Sequence, residues 1–553
     1  MHRLFAIPAL LLAAVLGYFY WSWLGRPVAM TDAPGGRLQC LSYTPYDGSS
    51  SPLDPENYKV APGRIRADLE ALRPFTNCIR TYSSLPPQDE VVRVAEKLGM
   101  QVYLGIWVNA NAKETQKEIA TALALAKAHP KAIKALVVGN EVMLRREMTG
   151  EQLAAIIREV KARSGGLPVT YADIFEFWRR NPVLAKAVDF MAVHILPHWD
   201  DPEPVSIDQV QAHVRGIIAR VQRTFPGKPL IIGEIGWPSA GRTRGAAVPS
   251  LVNEARFIRE FVTGAEAIGV PYNIIEAIDQ KWKRYPEGTV GGYWGILDGN
   301  RHLKFPLTGP VREWPHWQRA FAASLILSGL VLAWGLMPGR RLGLGRWLAL
   351  GALGQVLAST LVLQANQTAV ISLNLLEYGR GLALAVLTVA AFALICLPRI
   401  DGRDRRRVDA VPAPLADLLA WLRRPSRDRL SPDIALGFVV WPVLAGGALA
   451  ALLMAVDGRH RDFLIPEFWF LAAMILYQWL ASPRRRPWRE DRREEGWLAL
   501  VLIVIGPFAW DGPHNLEAMT WIAVIVVLAL PWLGAAWQAL RVPAFNPRQA
   551  EQG

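Results

Sequence analysis

Cysteine is scarce in this chain: Cys40, Cys78 and Cys396 are its only three in 553 residues. No CxxC pair and no Cys/His cluster occurs, which excludes a structural zinc site of the usual spacings. Cys40 and Cys78 fall in two neighbouring strand candidates and are expected to be buried free thiols. Pairing in an oxidising compartment is the alternative. A glycine-rich phosphate loop is also missing. The first strand candidate runs into Tyr43-Thr44-Pro45-Tyr46 rather than a glycine fingerprint, so a dinucleotide-binding fold is excluded. Charge, finally, is almost absent from several long stretches after about residue 315, although the chain as a whole carries a net +13.

Those uncharged stretches are apolar runs of roughly 17 to 22 residues, long enough for a ~30 Å hydrocarbon core. Spans are expected near 317–337, 346–364, 379–397, 434–456, 463–481, 496–510 and 517–538, about seven helices within 317–540. An eighth run, Leu4–Leu24, follows Arg3 and ends in Trp21 and Trp23 with no small-x-small site after it. It reads as an uncleaved signal anchor over 1–25, a cleaved signal peptide being the alternative. Threading all eight puts Arg340/Arg341, Arg403–Arg429 and Arg484–Arg493 on one side, the cytoplasm by the positive-inside rule. The segment from Gly25 to about Pro315 then lies outside, which in a bacterial cell envelope means a multi-pass inner-membrane protein with a periplasmic domain. Topology thereby accounts for the basic surplus, and no nucleic-acid partner is expected, since no recognition helix or aromatic-rich basic stripe accompanies it. Glu377, Arg380 and Glu467 sit at span edges and suggest no ion pathway; an anchoring and partner-docking scaffold is the expected role of these helices.

Between residues 30 and 312 the pattern changes. Short apolar runs at Leu38–Thr44, Cys78–Tyr82, Val102–Trp107, Ala135–Asn140, Pro168–Ala172, Phe190–Leu196, Pro229–Glu234 and Asn273–Asp279 alternate with amphipathic stretches. The helical patterns cover Arg64–Leu72, Asp89–Leu98, Lys113–Ala128, Glu151–Ala162, Phe177–Ala187, Ile207–Phe225 and Asn253–Ile268. Continuous apolar strands separated by helices predict a parallel sheet covered on both faces. Eight such units in about 280 residues fit an α/β fold of the (β/α)8 TIM-barrel type.

Chemistry on such a barrel sits at the C-terminal strand ends. The residues there are Tyr43, Tyr46 and Asp47; Arg80 and Tyr82; Trp107 and Asn109; Asn140 and Glu141; Tyr171 and Asp173; His198 and Trp199; Glu234 and Trp237; and Glu276, Asp279, Trp282 and Lys283. Aromatic rings offer flat faces to sugar C–H surfaces, while acids and amides bind hydroxyls. Glu141 ends Val137-Val138-Gly139-Asn140-Glu141 and Glu234 ends Ile231-Ile232-Gly233-Glu234, on the fourth and seventh strands. Glycosidic cleavage needs two carboxyl groups flanking one bond, and this pair faces across one mouth. A helix cap or ion-pair partner would explain a single strand-end glutamate, but not two on opposing strands.

Gly139-Asn140-Glu141 together with Gly233-Glu234-Ile235-Gly236-Trp237-Pro238-Ser239 resembles glycoside hydrolase family 17, the β-1,3-glucanase and glucanosyltransferase family. Ile79-Arg80-Thr81-Tyr82 is similar to its second-strand segment, Glu276–Lys283 to its eighth, and Tyr293–Asp298 to the stretch after it. The resemblance runs from about Leu38 to Asp298 and says nothing of the membrane spans. It implies Glu141 as general acid/base and Glu234 as nucleophile, with retention of configuration. It further implies Asn140 on the sugar 2-hydroxyl, Arg80 holding Glu234 ionised (structural pairing being the alternative role for Arg80), and Glu276 and Lys283 supporting the site. Tyr43, Tyr46, Tyr82, Trp107, Trp199, Trp237 and Trp282 are the remaining substrate-binding candidates. At the sixth strand, where relatives often carry an aromatic residue or His before Pro, this chain has Leu196-Pro197-His198-Trp199, which leaves contact with the nucleophile there open: His194 or His198 is the candidate substitute, and a merely hydrogen-bonded histidine is the alternative.

The expected function is therefore β-1,3-glucan hydrolysis or glucosyl transfer, including β-1,6 branching, with β-glucan and the lipid bilayer as partners. Fusion to membrane helices resembles bacterial members linked to β-1,3/1,6-glucan synthesis and makes a glucan synthase a further expected partner. No metal, nucleotide or redox cofactor is implied. The contrasting reading is a non-catalytic glucan-binding or accessory subunit of a synthesis and export machine.

Overall fold

The computed structural model describes residues 2–54, 58–199, 204–484, 488 and 492–541. Most of the basic run Arg484–Arg493, at positions 485–487 and 489–491, lies outside the described residues. The chain divides into two compact units, Pro27–Glu313, and Met1–Arg26 with Trp314–Gly553.

Eight parallel strands close the first unit into a barrel: β1 (Leu41–Ser42), β2 (Cys78–Arg80), β3 (Gln101–Ile106), β4 (Ile133–Asn140), β5 (Val169–Ile174), β6 (Met191–Ile195), β7 (Leu230–Ile235) and β8 (Tyr272–Ile274). Closure comes from β8 pairing with β1 through Ile274 and Leu41. The strands are buried on both faces, as their unbroken apolar sequences require. Outward residues such as Leu41, Ile79, Leu104, Val138 and Ile232 join the helix faces in the main core. Inward residues at the N-terminal end, among them Tyr103, Val137, Ala172 and Ile231, fill the barrel floor. An antiparallel pair, Pro27–Val28 with Val311–Arg312, brings the two ends of the unit together.

Local signals set the helices. Asn111 caps Ala112–Ala128 through the Lys113 and Glu114 amides, and Thr149 with Gln152 forms a capping box on Gly150–Arg163. The stretch Phe177–Ala187 is two helices rather than one, Phe175–Arg180 and Pro182–Ala187, because Pro182 has no N–H to continue the ladder. The first and last strands are shorter than their apolar runs. Beyond β8 the backbone stays bonded to its neighbours, Ile275 N donating to Ile235 O at 2.8 Å and Ala277 N to Ser42 O at 2.9 Å, while Glu276 N turns to the following segment and donates to Trp294 O at 2.8 Å.

Cys40 and Cys78 form a disulfide, which corrects the expectation of free thiols. The cause is register. Leu41 pairs with Ile79 and Ser42 with Arg80, so the residues one step earlier lie side by side, 4.5 Å apart at Cα.

The second unit is helical. Among the described residues, six of its segments are long and apolar enough to cross a membrane, judged by length and composition: Arg3–Leu24, Trp317–Gly335, Leu344–Ile371, Leu375–Asp401, Pro432–His460 and Leu516–Arg541. The stretch 463–481 forms a 17-residue apolar helix, Ile465–Ala481. The stretch 496–510 falls on a 13-residue helix, Arg493–Ile505, that tightens into a 3-10 turn over Gly506–Ala509. Side-chain amides and hydroxyls tie these helices together. The Gln355 amide donates to Ser324 Oγ at 2.9 Å, and that hydroxyl also accepts from Trp21 Nε1 at 3.0 Å. Gln364 donates to Thr388 Oγ1 at 3.0 Å. Each bond satisfies polar groups that lie buried between apolar helices.

Candidate active site

Glu141 follows the last residue of β4, and its backbone lies in the left-handed region at φ 53. This conformation costs an L-residue roughly 1–2 kcal/mol and needs a rigid frame. The frame is a set of fixed amides: Glu141 N donates to Ala172 O at 2.8 Å, Met143 N to the Tyr171 hydroxyl at 3.0 Å and Leu144 N to Asp173 Oδ2 at 3.4 Å. The Tyr171 hydroxyl in turn donates to Asp173. Burial pushes the Asp173 carboxyl up to about 6 against that bond, and the Glu141 charge adds to the rise.

Glu234 lies within β7, paired in register with His194 of β6. One of its oxygens, Oε1, accepts from Arg80 Nη1 at 2.5 Å and from the Tyr82 hydroxyl at 2.8 Å. Arg80, on β2, is buried; it also donates to Gly233 O at 3.1 Å and to Asn140 Oδ1 at 2.6 Å. Burial alone would raise the Glu234 carboxyl, but the charges of His194, Arg80 and Lys283 and the Tyr82 hydrogen bond hold it below the ordinary glutamate range. Glu234 is thus kept as a carboxylate. Burial and the Glu234 charge push the Tyr82 phenol well up, so it stays a donor.

His194 sits between the two glutamates, with Nδ1 3.0 Å from Glu141 Oε1 and 3.5 Å from Glu234 Oε2. Its ring passes over Gly233, where a Cβ would come within 2.8 Å of His194 Cδ2, so glycine is what lets the imidazole reach this place. One atom from each of Glu141, His194 and Glu234 lies within 4.8 Å of the other two. That spacing also suits a cation, but Arg80 already supplies positive charge to Glu234, and Lys283 lies close enough to add to it.

On the eighth strand side, Lys283 Nζ donates to Glu276 Oε2 at 2.7 Å. Burial pushes Glu276 up to about 7, and Lys283 only partly offsets this. Burial lowers the Lys283 ammonium less than Glu276 and Glu287 raise it. Both partners therefore keep their protons to higher pH than usual.

Among the aromatic residues, Trp107, Trp199 and Trp282 keep partly open rings. Trp107 carries the Arg145 guanidinium 4.2 Å above its ring, and Trp199 stacks with Trp294 at 6.3 Å. Tyr46 is nearly buried and meets Trp282 edge-on at 6.4 Å. Two candidates are misplaced by the sequence reading. Tyr43 points into the helix layer, where its hydroxyl donates to the buried Asp68 at 2.7 Å. Trp237 is fully buried, with Nε1 donating to Val248 O at 3.0 Å and its ring against Phe257. Neither can touch a ligand in the mouth, because each strand end alternates between pocket and core and these two face the core.

His198 resolves the other open alternative. It is buried edge-on to Trp199, Trp237 and Trp294, and burial lowers it to about 3, so it is a neutral packing residue. Contact with Glu234 belongs to His194, and the pairing of β6 with β7 was the signal for it. Arg145 gave no such signal. It follows the Glu141 turn and donates to Asn140 O at 3.2 Å and Val108 O at 2.7 Å, clamping the β4 end to the β3 end.

The sequence of this unit has relatives. Residues 40–295 match the family model described as the BtgE/BtgC glycoside hydrolase domain. The barrel is a glycoside hydrolase domain. Among curated proteins, the chain is 26% identical over 269 residues to a glucan 1,3-beta-glucosidase of Candida albicans, covering 44% of this chain and 85% of that one. It is 28% identical over 297 residues to the putative glucan endo-1,3-beta-glucosidase btgC of Aspergillus niger, covering 48% of this chain and 42% of the relative. A solved glycoside hydrolase family 17 β-1,3-glucanosyltransferase from Rhizomucor miehei aligns at 25% identity and TM-score 0.42, over 48% of this chain and 95% of that one.

Proposed function

We propose that the barrel cleaves and re-forms β-1,3-glucan chains by a two-step, configuration-retaining reaction, with Glu234 as nucleophile and Glu141 as general acid/base. The observation that carries this reading is the approach of the two carboxylates to within 4.8 Å around His194. That is close to the ~5–5.5 Å typical of retaining pairs and too short for the water that an inverting enzyme must seat. Arg80 and Tyr82 occupy Oε1 of Glu234, which leaves Oε2 to attack the anomeric carbon. The bond to the leaving oxygen breaks as Glu141 gives that oxygen its proton, and a glycosyl ester of Glu234 forms. Glu141 then takes a proton from water or from a sugar hydroxyl, whose oxygen attacks the anomeric carbon and frees Glu234. Because Asn140 Oδ1 is held by Arg80, its amide N–H remains to donate to the sugar 2-hydroxyl. Trp107, Trp199 and Trp282 offer ring faces for neighbouring sugars.

The same reading makes the chain a membrane-anchored enzyme of bacterial type, its barrel on the periplasmic side of the inner membrane. The apolar helices, the arginine-rich loops that join them and a disulfide typical of oxidising compartments all support it. An enzyme held there is suited to remodel a glucan made at the same membrane, by elongation or β-1,6 branching beside hydrolysis. The test is product analysis of the full-length protein in detergent with laminari-oligosaccharides. Products longer than the substrate, with linkages read by NMR, are expected; shorter products alone would reduce the activity to hydrolysis, and no turnover would overturn the enzymatic reading.

A further inference from the structure

Between helices Leu375–Asp401 and Pro432–Asp457 the chain makes a strap that contains its own nine-residue helix, Leu415–Arg423. The strap is fastened just ahead of that helix. Gln478 Nε2 donates to Val408 O at 3.2 Å and to Ala410 O at 2.7 Å, while Asp433 Oδ1 accepts from Val411 N at 2.9 Å. Arg492 adds a bond to Pro412 O. One side of the short helix packs inward: Leu418 is buried, and Trp421 meets Phe438 edge-on at 5.3 Å. Its Nε1 donates to Ser426 O at 3.2 Å, which folds the following turn back on the helix.

The other side is unusual for a loop in water. Leu419, Leu422 and Leu430 stand 45%, 56% and 47% exposed. Beside them Arg423, Arg424, Arg427 and Arg429 are exposed and make no ion pair among the described residues. An apolar stripe bordered by unpaired guanidinium groups is the pattern of a helix lying in a membrane interface. Guanidinium forks match phosphate oxygens, and each cation close to an anionic leaflet adds to binding.

We infer that the strap 415–430 is an interfacial docking element that binds the phosphates of anionic phospholipids, with Leu419 and Leu422 inserted beside the acyl chains. This rests on the reading that the helices cross a membrane. Charge complementarity selects the occupant: zwitterionic headgroups offer the arginines no net charge, whereas phosphatidylglycerol does.

The test uses the full chain reconstituted in nanodiscs of phosphatidylcholine, alone or mixed with phosphatidylglycerol, and follows hydrogen exchange of residues 415–430. Exchange is expected to slow by about ten-fold or more when the anionic lipid is present. That response is expected to vanish in the R423Q/R424Q/R427Q/R429Q variant and to weaken in L419S/L422S, with glucan turnover unchanged in both as a check on folding. Equal exchange in the two lipid mixtures would overturn the inference and leave the membrane reading standing. The same protection from inorganic phosphate in detergent would also overturn it, by making the site one for soluble anions. A chain that does not enter nanodiscs at all would overturn the membrane reading and the inference with it.

Discussion

Removing the charge of Arg80 tests how the site keeps its nucleophile ionised. R80M preserves much of the aliphatic volume but deletes the guanidinium and its bonds to Glu234, Gly233 and Asn140. An opposite charge this close lowers a carboxyl by about 1–3 pH units, equivalent to about 1.4–4 kcal/mol. Without it, burial dominates and the Glu234 carboxyl rises. The acidic limb of the pH–rate profile should therefore move alkaline by about one to three pH units. Loss of orientation at Glu234 and Asn140 should lower kcat/KM by about 10²-fold even on the plateau. Stability carries a second sign. In the native protein the lowered Glu234 contributes stability that is present above the unfolded glutamate value of about 4.3 and is lost as pH falls through the folded value. In R80M the raised carboxyl reverses this: unfolding should become harder as pH drops from 7 towards 5. Leaving the buried carboxylate with only Tyr82 and His194 beside it costs up to about 3–5 kcal/mol at neutral pH, less to the extent that it takes up a proton. Thermal unfolding and glucan-oligosaccharide kinetics across pH read both effects, with R80K as the variant that retains charge without the fork. A folded R80M with native turnover and an unmoved acidic limb would refute the reasoning.

Three further outcomes follow from the same geometry. C40S/C78S opens a link across a sequence separation of 38 and should destabilise the barrel by about 4 kcal/mol at most, read as a fall in Tm that added reductant reproduces in the native protein only. Y43F removes the hydroxyl on Asp68 and should cost about 1–2 kcal/mol in denaturant unfolding while kcat/KM stays native; a loss of activity in a stable Y43F would return Tyr43 to the substrate site. Glu276, raised to about 7, contributes stability that is full below the unfolded glutamate value and is lost as pH rises through 7, so the Tm of E276Q should gain on the native protein between pH 5 and 8, and a pH-independent difference would contradict the assignment.

The barrel was readable because its strands are continuous apolar runs and its helices carry explicit caps, as at Thr149 with Gln152. Glu141 and Glu234 were readable for the same reason, each closing or ending an apolar run with a charge. What was hidden depended on register and side-chain direction. The disulfide required knowing that Leu41 pairs with Ile79, and His194 required knowing that it pairs with Glu234. Tyr43 and Trp237 stand at strand ends like the site residues, yet face the core, and sequence position does not distinguish the two directions. Arg145 reaches back across a turn fixed by the left-handed backbone of Glu141, which no local pattern announces.

The most direct measurement of the central claim is the anomeric configuration of the first-formed product, followed by NMR during turnover of a laminari-oligosaccharide by the full-length protein. Two carboxylates meeting around His194 predict release of the β-anomer first, with E234Q abolishing turnover. An α-anomer formed first would mean that water, not Glu234, attacks the anomeric carbon.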